Sequence, residues 1–165
     1  LTTALEGARL VAVLTQAQDP GNAGTIIRAA DAAGADAVVL VRGSVDPTAP
    51  KVVRSTAGSL FHLPVVTGVA LDDAVTALHN AGLTVLAADG RGDFDLFEAE
   101  SLLEAPSAWL LGNEAHGLPS EALSRADAVV SIPIYGKAES LNVAAAAAVC
   151  LYASARAQAQ NSGRS

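Results

Sequence analysis

The chain of 165 residues has no methionine and a single cysteine, Cys150. One cysteine excludes an internal disulfide framework and a zinc site built on cysteines. The residues around Cys150 are mostly alanine, so we expect a buried and unreactive thiol. The three histidines, His62, His79 and His116, lack the spacing of metal ligands. We therefore expect no metal site.

Long hydrophobic runs are also missing. The longest strongly apolar stretch, residues 143–151, is about half as long as a transmembrane helix needs to be. The first residues lack the basic and then apolar pattern of a signal peptide. These absences predict a cytoplasmic protein with no membrane partner. Apolar residues make up 51% of the chain and charged residues 16%, which excludes intrinsic disorder and is typical of one globular domain.

Positive charge is scarce. Ten lysines and arginines stand against 17 acidic residues, giving a formal net charge of −7, and Lys51 and Lys137 are the only lysines. An acidic balance normally argues against a nucleic acid as the partner. The chain begins at Leu1 rather than at methionine, so we expect a trimmed chain or one domain of a longer protein.

Short apolar runs alternate with helical patterns along the chain, which predicts an α/β fold with a mostly parallel sheet flanked by helices. Strands are predicted at residues 10–14, 37–41, 63–66, 84–88, 108–111 and 128–132. Helices are predicted at residues 22–33, 50–57, 71–80, 120–125 and 141–159. The polar end, residues 158–165, is predicted to be a disordered tail. In such sheets, ligands bind beyond the carboxyl ends of the strands, so the loops there are the candidate functional segments.

The first such loop joins the first strand to the first helix. Asn22 is placed to cap that helix, and Arg28 lies two turns into it. A capped helix with a solvated arginine would explain these residues without any function. However, the neighbours of Arg28 in sequence are isoleucine and alanine, and an arginine in so apolar a helix usually meets an anion or a carboxylate.

Two further loops carry more polar residues than a turn requires. The loop after the strand at 108–111 places Asn113, Glu114 and His116 between two glycines. The segment before the last helix contains Ser140, a natural N-cap, and Asn142, a residue that forms helix interiors poorly. The start of that helix suits a ligand rich in acceptors or negative charge.

Together and in this order, the three loops resemble the SpoU (TrmH-type) branch of the SPOUT RNA methyltransferases. The first loop matches the family's N-x-G-x-x-x-R motif through Asn22, Gly24 and Arg28. The second matches L-G-x-E-x-x-G, and the third matches I-P-x-x-G-x-x-x-S-L-N-V. The residues that carry these two matches are Leu111, Gly112, Glu114 and Gly117, and then Ile132, Pro133, Gly136, Ser140, Leu141, Asn142 and Val143.

The resemblance implies a catalytic domain over residues 1–157, with a deep trefoil knot in its C-terminal part. It also implies a homodimer whose active sites are built from both subunits, and S-adenosylmethionine as the methyl donor. An N-terminal RNA-binding domain is expected to be absent from this chain. The implied donor-binding residues are Ala87, Ala88, Leu111, Gly112, Asn113, Ile132, Ile134 and Leu141.

The implied reaction is methylation of a ribose 2′-hydroxyl in RNA, with ribosomal RNA favoured over tRNA. The resemblance makes Arg28 the main catalytic residue, helped by Asn22, Glu114, Ser140 and Asn142, and assigns RNA contacts to Lys51, Arg54 and Lys137. A guanidinium keeps its proton in proteins, so stabilisation of the developing alkoxide is a simpler role for Arg28 than that of a base.

Three alternatives stay open at this point. The target could be tRNA ribose, and resistance to a ribosome-directed antibiotic is a special case of the ribosomal target. The chain could instead be a non-catalytic SPOUT-like dimer that binds RNA or a nucleotide. The acidic charge alone supports a third possibility, a small-molecule α/β enzyme unrelated to RNA.

Overall fold

A seven-stranded sheet, in which every neighbouring pair of strands is parallel, forms the centre of the computed structural model. The structure describes residues 1–113 and 115–163. The strands are β1 (Leu10–Leu14), β2 (Ala37–Val41), β3 (Val65–Val69), β4 (Thr84–Ala88), β5 (Phe94–Asp95), β6 (Ser107–Leu111) and β7 (Ala128–Ser131). Their order across the sheet is β3-β2-β1-β6-β4-β7-β5.

Six α-helices cover the sheet. They are α1 (Pro20–Ala32), α2 (Pro50–Thr56), α3 (Leu71–Asn80), α4 (Glu100–Glu104), α5 (Ser120–Arg125) and α6 (Val143–Ser162), and 3-10 turns lie at Thr3–Leu5 and Ser59–Phe61. Among the described residues, no helix is both long enough and apolar enough to cross a lipid bilayer.

The core has two halves, one on each face of the sheet, because side chains alternate along a strand. Leu10, Ala12 and Leu14 of β1 pack with α1, α4 and α6, whereas Val11 and Val13 pack with α3 and α5. The central strands β1, β2 and β6 are buried along their whole length. This burial explains their continuous apolar sequences and confirms the predicted α/β class with a parallel sheet.

Helix α6 is fixed to the core by polar contacts as well as by its small side chains. Trp109 of β6 is fully buried, and its Nε1 donates to Ser154 Oγ at 2.8 Å. Cys150 is also fully buried, and burial raises the pKa of its thiol to about 12. The expectation of a buried thiol is therefore confirmed, and the raised pKa leaves almost no reactive thiolate near neutral pH.

Several predicted boundaries are wrong. The tail predicted from residue 158 is instead helical up to Ser162, because Gln158 is buried and its Nε2 donates to the carbonyls of Arg9 and Ala105 at 3.0 and 3.1 Å. Strand β3 begins two residues later than predicted. The short elements β5 and α4 were not predicted, because two strand residues and five helix residues are too few to show a periodic pattern.

Candidate functional site

A cleft of about 330 Å³ opens at the carboxyl ends of β4, β6 and β7. It is formed by the loops that follow these strands and by the first turn of α6. Its lining residues are Ala88, Asp89, Gly90, Gly112, Asn113, Ala115, Gly117, Ile132, Ile134, Glu139, Ser140, Leu141, Val143 and Ala146. This position is the expected one for a ligand site in an open parallel sheet.

Six of the eight predicted donor-binding residues line this cleft: Ala88, Gly112, Asn113, Ile132, Ile134 and Leu141. Ala87 and Leu111 do not, and both are buried in the core. Their side chains face the core because side chains alternate at the ends of β4 and β6, and their part in donor binding stays a prediction. Sequence reasoning missed Asp89, Gly90 and Glu139, although each lies within a few residues of a predicted site residue.

Asn113 shapes the loop after β6. Its backbone exchanges two hydrogen bonds with Gly117, at 2.8 and 3.1 Å. Its side-chain Oδ1 accepts from the backbone N–H groups of Ala115 and His116, and its Nδ2 donates to the carbonyl of Gln16 at 2.8 Å. Asn113 therefore lines the cleft while its amide holds the loop in place. Glu114, which the sequence placed at this site, lies outside the described residues.

Gly112 is required where this loop closes on itself. A Cβ at residue 112 would lie 2.6 Å from the carbonyl carbon of Gly117 and 2.8 Å from the backbone nitrogen of Leu118. These distances are far shorter than a van der Waals contact, so a side chain at residue 112 would clash and force the loop open. Gly112 of the second motif therefore allows the loop after β6 to close on itself.

An ion pair fixes the loop after β4. Arg91 Nε and one of its terminal nitrogens donate to the two carboxylate oxygens of Asp89 at 2.8 and 2.9 Å. These hydrogen bonds lower the pKa of Asp89 below its usual value. Arg91 also reaches the carbonyl of Leu118 at 3.5 Å. The pair therefore links the loops after β4 and β6, which form two walls of the cleft.

The first and third motifs meet at the start of two helices. Asn142 Nδ2 donates to Asn22 Oδ1 at 3.3 Å, across 120 residues of chain. Asn142 Oδ1 accepts from the backbone N–H groups of Ala144 and Ala145, so Asn142 is the N-cap of α6. Ser140, predicted to be that cap, lines the cleft instead.

The N-cap of α1 also differs from the prediction. Asp19 occupies the cap position, and its Oδ2 accepts from the backbone N–H of Asn22 at 3.1 Å. Because Asp19 caps the helix, the side chain of Asn22 remains available to Asn142. This exchange of roles explains how both asparagines can serve a site rather than only a helix.

Arg28 lies on the exposed surface of α1. Among the described residues it makes no hydrogen bond or ion pair, in contrast to the carboxylate partner that its apolar neighbours suggested. It shares one helix face with Gly24 and Asp31, at spacings of four and three residues. Gly24 is pressed against Ser55 of α2, so this face of α1 is the one that meets α2.

The three predicted RNA-contact residues are all exposed, but they lie in two places. Lys51 and Arg54 are on α2, which packs against α1, and Lys137 is in the segment between β7 and α6. His116, whose role the sequence left open, is exposed in the loop after β6. In the part of the chain that the structure describes, no group of three or more histidine, cysteine or acidic residues is placed to hold a metal ion.

The model of the SpoU rRNA methylase family matches residues 9–152. The chain belongs to this family. It is 42% identical over 151 residues to the 23S rRNA (guanosine(2553)-2′-O)-methyltransferase RlmP of Bacillus subtilis, covering 90% of this chain and 58% of that protein.

Two solved structures are also similar to the chain. The SpoU methyltransferase AviRb of Streptomyces viridochromogenes, in complex with the cofactor AdoMet, has a TM-score of 0.83 at 37% identity, covering 91% of this chain and 60% of AviRb. A second solved structure, whose description concerns the 2-OH methylation of C/U34 on tRNA, has a TM-score of 0.81 at 32% identity. The match covers 92% of this chain and 97% of the chain in that structure. The chain thus spans just over half of RlmP.

Proposed function

We propose that this domain transfers a methyl group from S-adenosylmethionine to a ribose 2′-hydroxyl of RNA, and that the RNA is ribosomal. The hydrogen bond between Asn22 and Asn142 carries this proposal. It brings the first and third family motifs together beside the cleft, at the N-terminus of α1, the helix that carries Arg28. The support for ribosomal RNA is that RlmP, its relative, is named for 23S rRNA.

The cleft fits the methyl donor. Ala88 and Gly90 leave room for a ligand to lie against the backbone, and Ile134 and Leu141 are apolar side chains left 38% and 40% exposed at its edge. A small apolar cleft with a few polar groups is what an adenine and a methionine side chain require. S-adenosylmethionine, when bound, supplies an electrophilic methyl group that needs no metal for activation.

The acceptor needs more help than the donor, because a neutral hydroxyl is a poor nucleophile. The side chains of Asn22, Ser140 and Asn142 supply hydrogen bonds that can orient a ribose beside the cleft. The guanidinium of Arg28 is exposed and unpaired within the described chain, so it can donate to the ribose oxygen as that oxygen loses its proton. The proton then passes to an RNA phosphate or to water.

Two finer features belong to the same proposal. We expect a homodimer, because Arg28 has no carboxylate partner within the described residues and Tyr135 is 87% exposed beside the cleft. We also expect the chain between β7 and α6 to be part of a trefoil knot. The packing of α6 against both α1 and α4, behind the central strands, is compatible with that threading.

A tRNA target is the second candidate. It is favoured by the likeness to the structure described by methylation of C/U34 on tRNA, which this chain covers almost completely, at 97%. A test that separates the two is mass mapping of ribose methylation in rRNA and tRNA from cells with and without the gene. We expect one rRNA nucleotide to lose its methyl group. Loss at a tRNA nucleotide alone would replace the ribosomal target, and no loss in either RNA would contradict the function.

A further inference from the structure

Phe61 is an aromatic side chain that the fold leaves 81% exposed. It ends the 3-10 turn Ser59–Phe61, which follows α2. Ser59 Oγ donates to Asp31 Oδ2 at 2.7 Å, and His62 Nδ1 lies 2.7 Å from the same oxygen. Residues three apart in a 3-10 turn share one face. Ser59 and His62 therefore both face α1, and Phe61 points away from it.

The turn is anchored rather than loosely attached. Ser59 is only 5% exposed, and the carboxylate of Asp31 joins it to the last turn of α1. The hydrogen bonds from His62 and Ser59 lower the pKa of Asp31, so the carboxylate stays ionised at neutral pH. An exposed aromatic ring on an anchored turn loses little conformational freedom when a flat partner stacks on it.

Apart from Asp31, whose carboxylate is bonded to Ser59 and His62, the chain segment around Phe61 is unlike the rest of the chain in charge. No acidic residue occurs between Asp46 and Asp72, although the net charge of the chain is −7. The same stretch contains Lys51 and Arg54, both exposed on α2. Positive side chains beside an exposed aromatic ring are the combination that binds single-stranded nucleic acid, by phosphate attraction and base stacking.

The position of Phe61 relative to the proposed active site indicates which base of the RNA could stack on its ring. Asn22 and Asp31 are nine residues apart on α1, which is about 14 Å along the helix axis and half a turn around it, so they lie on opposite faces. Arg28 lies between them, on the same face as Asp31. Because the turn that carries Phe61 is bonded to Asp31, one helical turn beyond Arg28, a nucleotide next to a ribose held by Arg28 would lie toward Phe61.

We propose that Phe61 is a stacking platform for a base that flanks the methylated nucleotide. The proposal rests on RNA being the substrate of this domain. It adds a sequence-tolerant contact to the electrostatic contacts of Lys51 and Arg54, because every base has a face that can stack. Phe61 is thus a substrate-positioning residue.

The test compares Phe61→Ala, Phe61→Leu and Phe61→Trp in the full-length protein. The ligand is a fluorescent single-stranded fragment of 23S rRNA, and the dissociation constant is measured by anisotropy. Phe61→Ala should weaken binding about 5- to 150-fold, the range of stacking losses on alanine substitution. Phe61→Leu should lose nearly as much, because it remains apolar but has no ring, whereas Phe61→Trp should bind as well as the wild type. Calorimetric binding of S-adenosylmethionine should not change in any variant.

The matched control is Phe97→Ala, an aromatic residue that is 59% exposed just after β5, at the opposite edge of the sheet. It should bind RNA normally. Unchanged RNA affinity in Phe61→Ala would overturn the stacking proposal and leave the methyltransferase function standing. If RNA binding depends on Phe61 but the protein transfers no methyl group, the stacking proposal would stand and the methyltransferase function would be overturned. If the wild type binds no RNA, or if Phe61→Ala dissociates a dimer in light scattering, the proposal fails.

Discussion

At Gly24 the helix that carries Arg28 lies very close to its neighbour α2. A Cβ built at residue 24 would lie 2.3 Å from Ser55 Cβ, 2.8 Å from the carbonyl oxygen of Val52 and 3.0 Å from the carbonyl carbon of Ser55. Carbon atoms in contact are normally about 3.5 to 4.0 Å apart. Substitution Gly24→Ala must therefore push the two helices apart by about 1 Å or more.

Overpacking typically costs about 1 to 3 kcal/mol, and two of the three atoms met here belong to backbone that cannot rotate away, which places the cost near about 3 kcal/mol. Alanine gains about 1 kcal/mol over glycine in a helix. We therefore expect Gly24→Ala to lower the free energy of unfolding by about 2 kcal/mol. For a domain of this size the melting temperature should fall by about 4 to 8 °C.

Thermal unfolding followed by circular dichroism measures this change. Gly21→Ala is the matched control in the same helix, because its Cβ would meet only the Asp19 carboxylate at 3.7 Å, an ordinary contact. It should leave the melting temperature unchanged or slightly raised. In a Ser55→Gly background the cost of Gly24→Ala should shrink without vanishing, since the Val52 carbonyl remains. A Gly24→Ala protein as stable as the wild type would show that α1 and α2 can separate at Gly24 without cost.

Two further predictions concern polar contacts on α1 and α6. Asn142→Ala removes the N-cap of α6 and should lower the free energy of unfolding by about 1 kcal/mol in thermal or denaturant unfolding. Ser140→Ala should leave the free energy of unfolding unchanged, and equal losses in the two variants would contradict the assignment of Asn142 as the cap. Asp31 has a lowered pKa in the folded state, so it stabilises the fold above its unfolded value of about 3.9 and loses that effect as the pH falls through the folded value. Asp31→Asn should therefore lower the melting temperature at pH 7 more than at pH 3, and an equal loss at both pH values would disprove the ionic contribution.

The fold was largely predictable because its strands are short and buried on both sides. Strand β1 matches its predicted limits, and so do β2, β4 and the helices α3 and α5. Each of these has a continuous apolar run or a regular helical spacing. The prediction failed where tertiary contacts decide, as at Gln158, which looks polar and terminal but is held by carbonyls from two distant segments.

The loops that form the site could be predicted from the sequence, but the hydrogen bonds and ion pairs within the site could not. The motifs located Asn22, Ser140 and Asn142, yet both helix caps were assigned to the wrong residue. Asn, Asp and Ser are nearly equivalent as caps, so sequence alone does not rank neighbouring candidates. The ion pair of Asp89 with Arg91 was missed as well, because its function of joining two loops appears only when β4 and β6 lie side by side.

The most direct test of the proposed function is a single-turnover assay with purified full-length protein, 23S rRNA and S-adenosylmethionine labelled in its methyl group. If the proposed function holds, the wild type transfers label to one ribose 2′-oxygen. Arg28→Ala should lose nearly all transfer while its calorimetric affinity for the donor stays unchanged, and Arg28→Lys should be severely impaired, because lysine keeps the charge but not the planar fork. Near-wild-type transfer by Arg28→Ala would contradict the proposed role of Arg28 in methyl transfer.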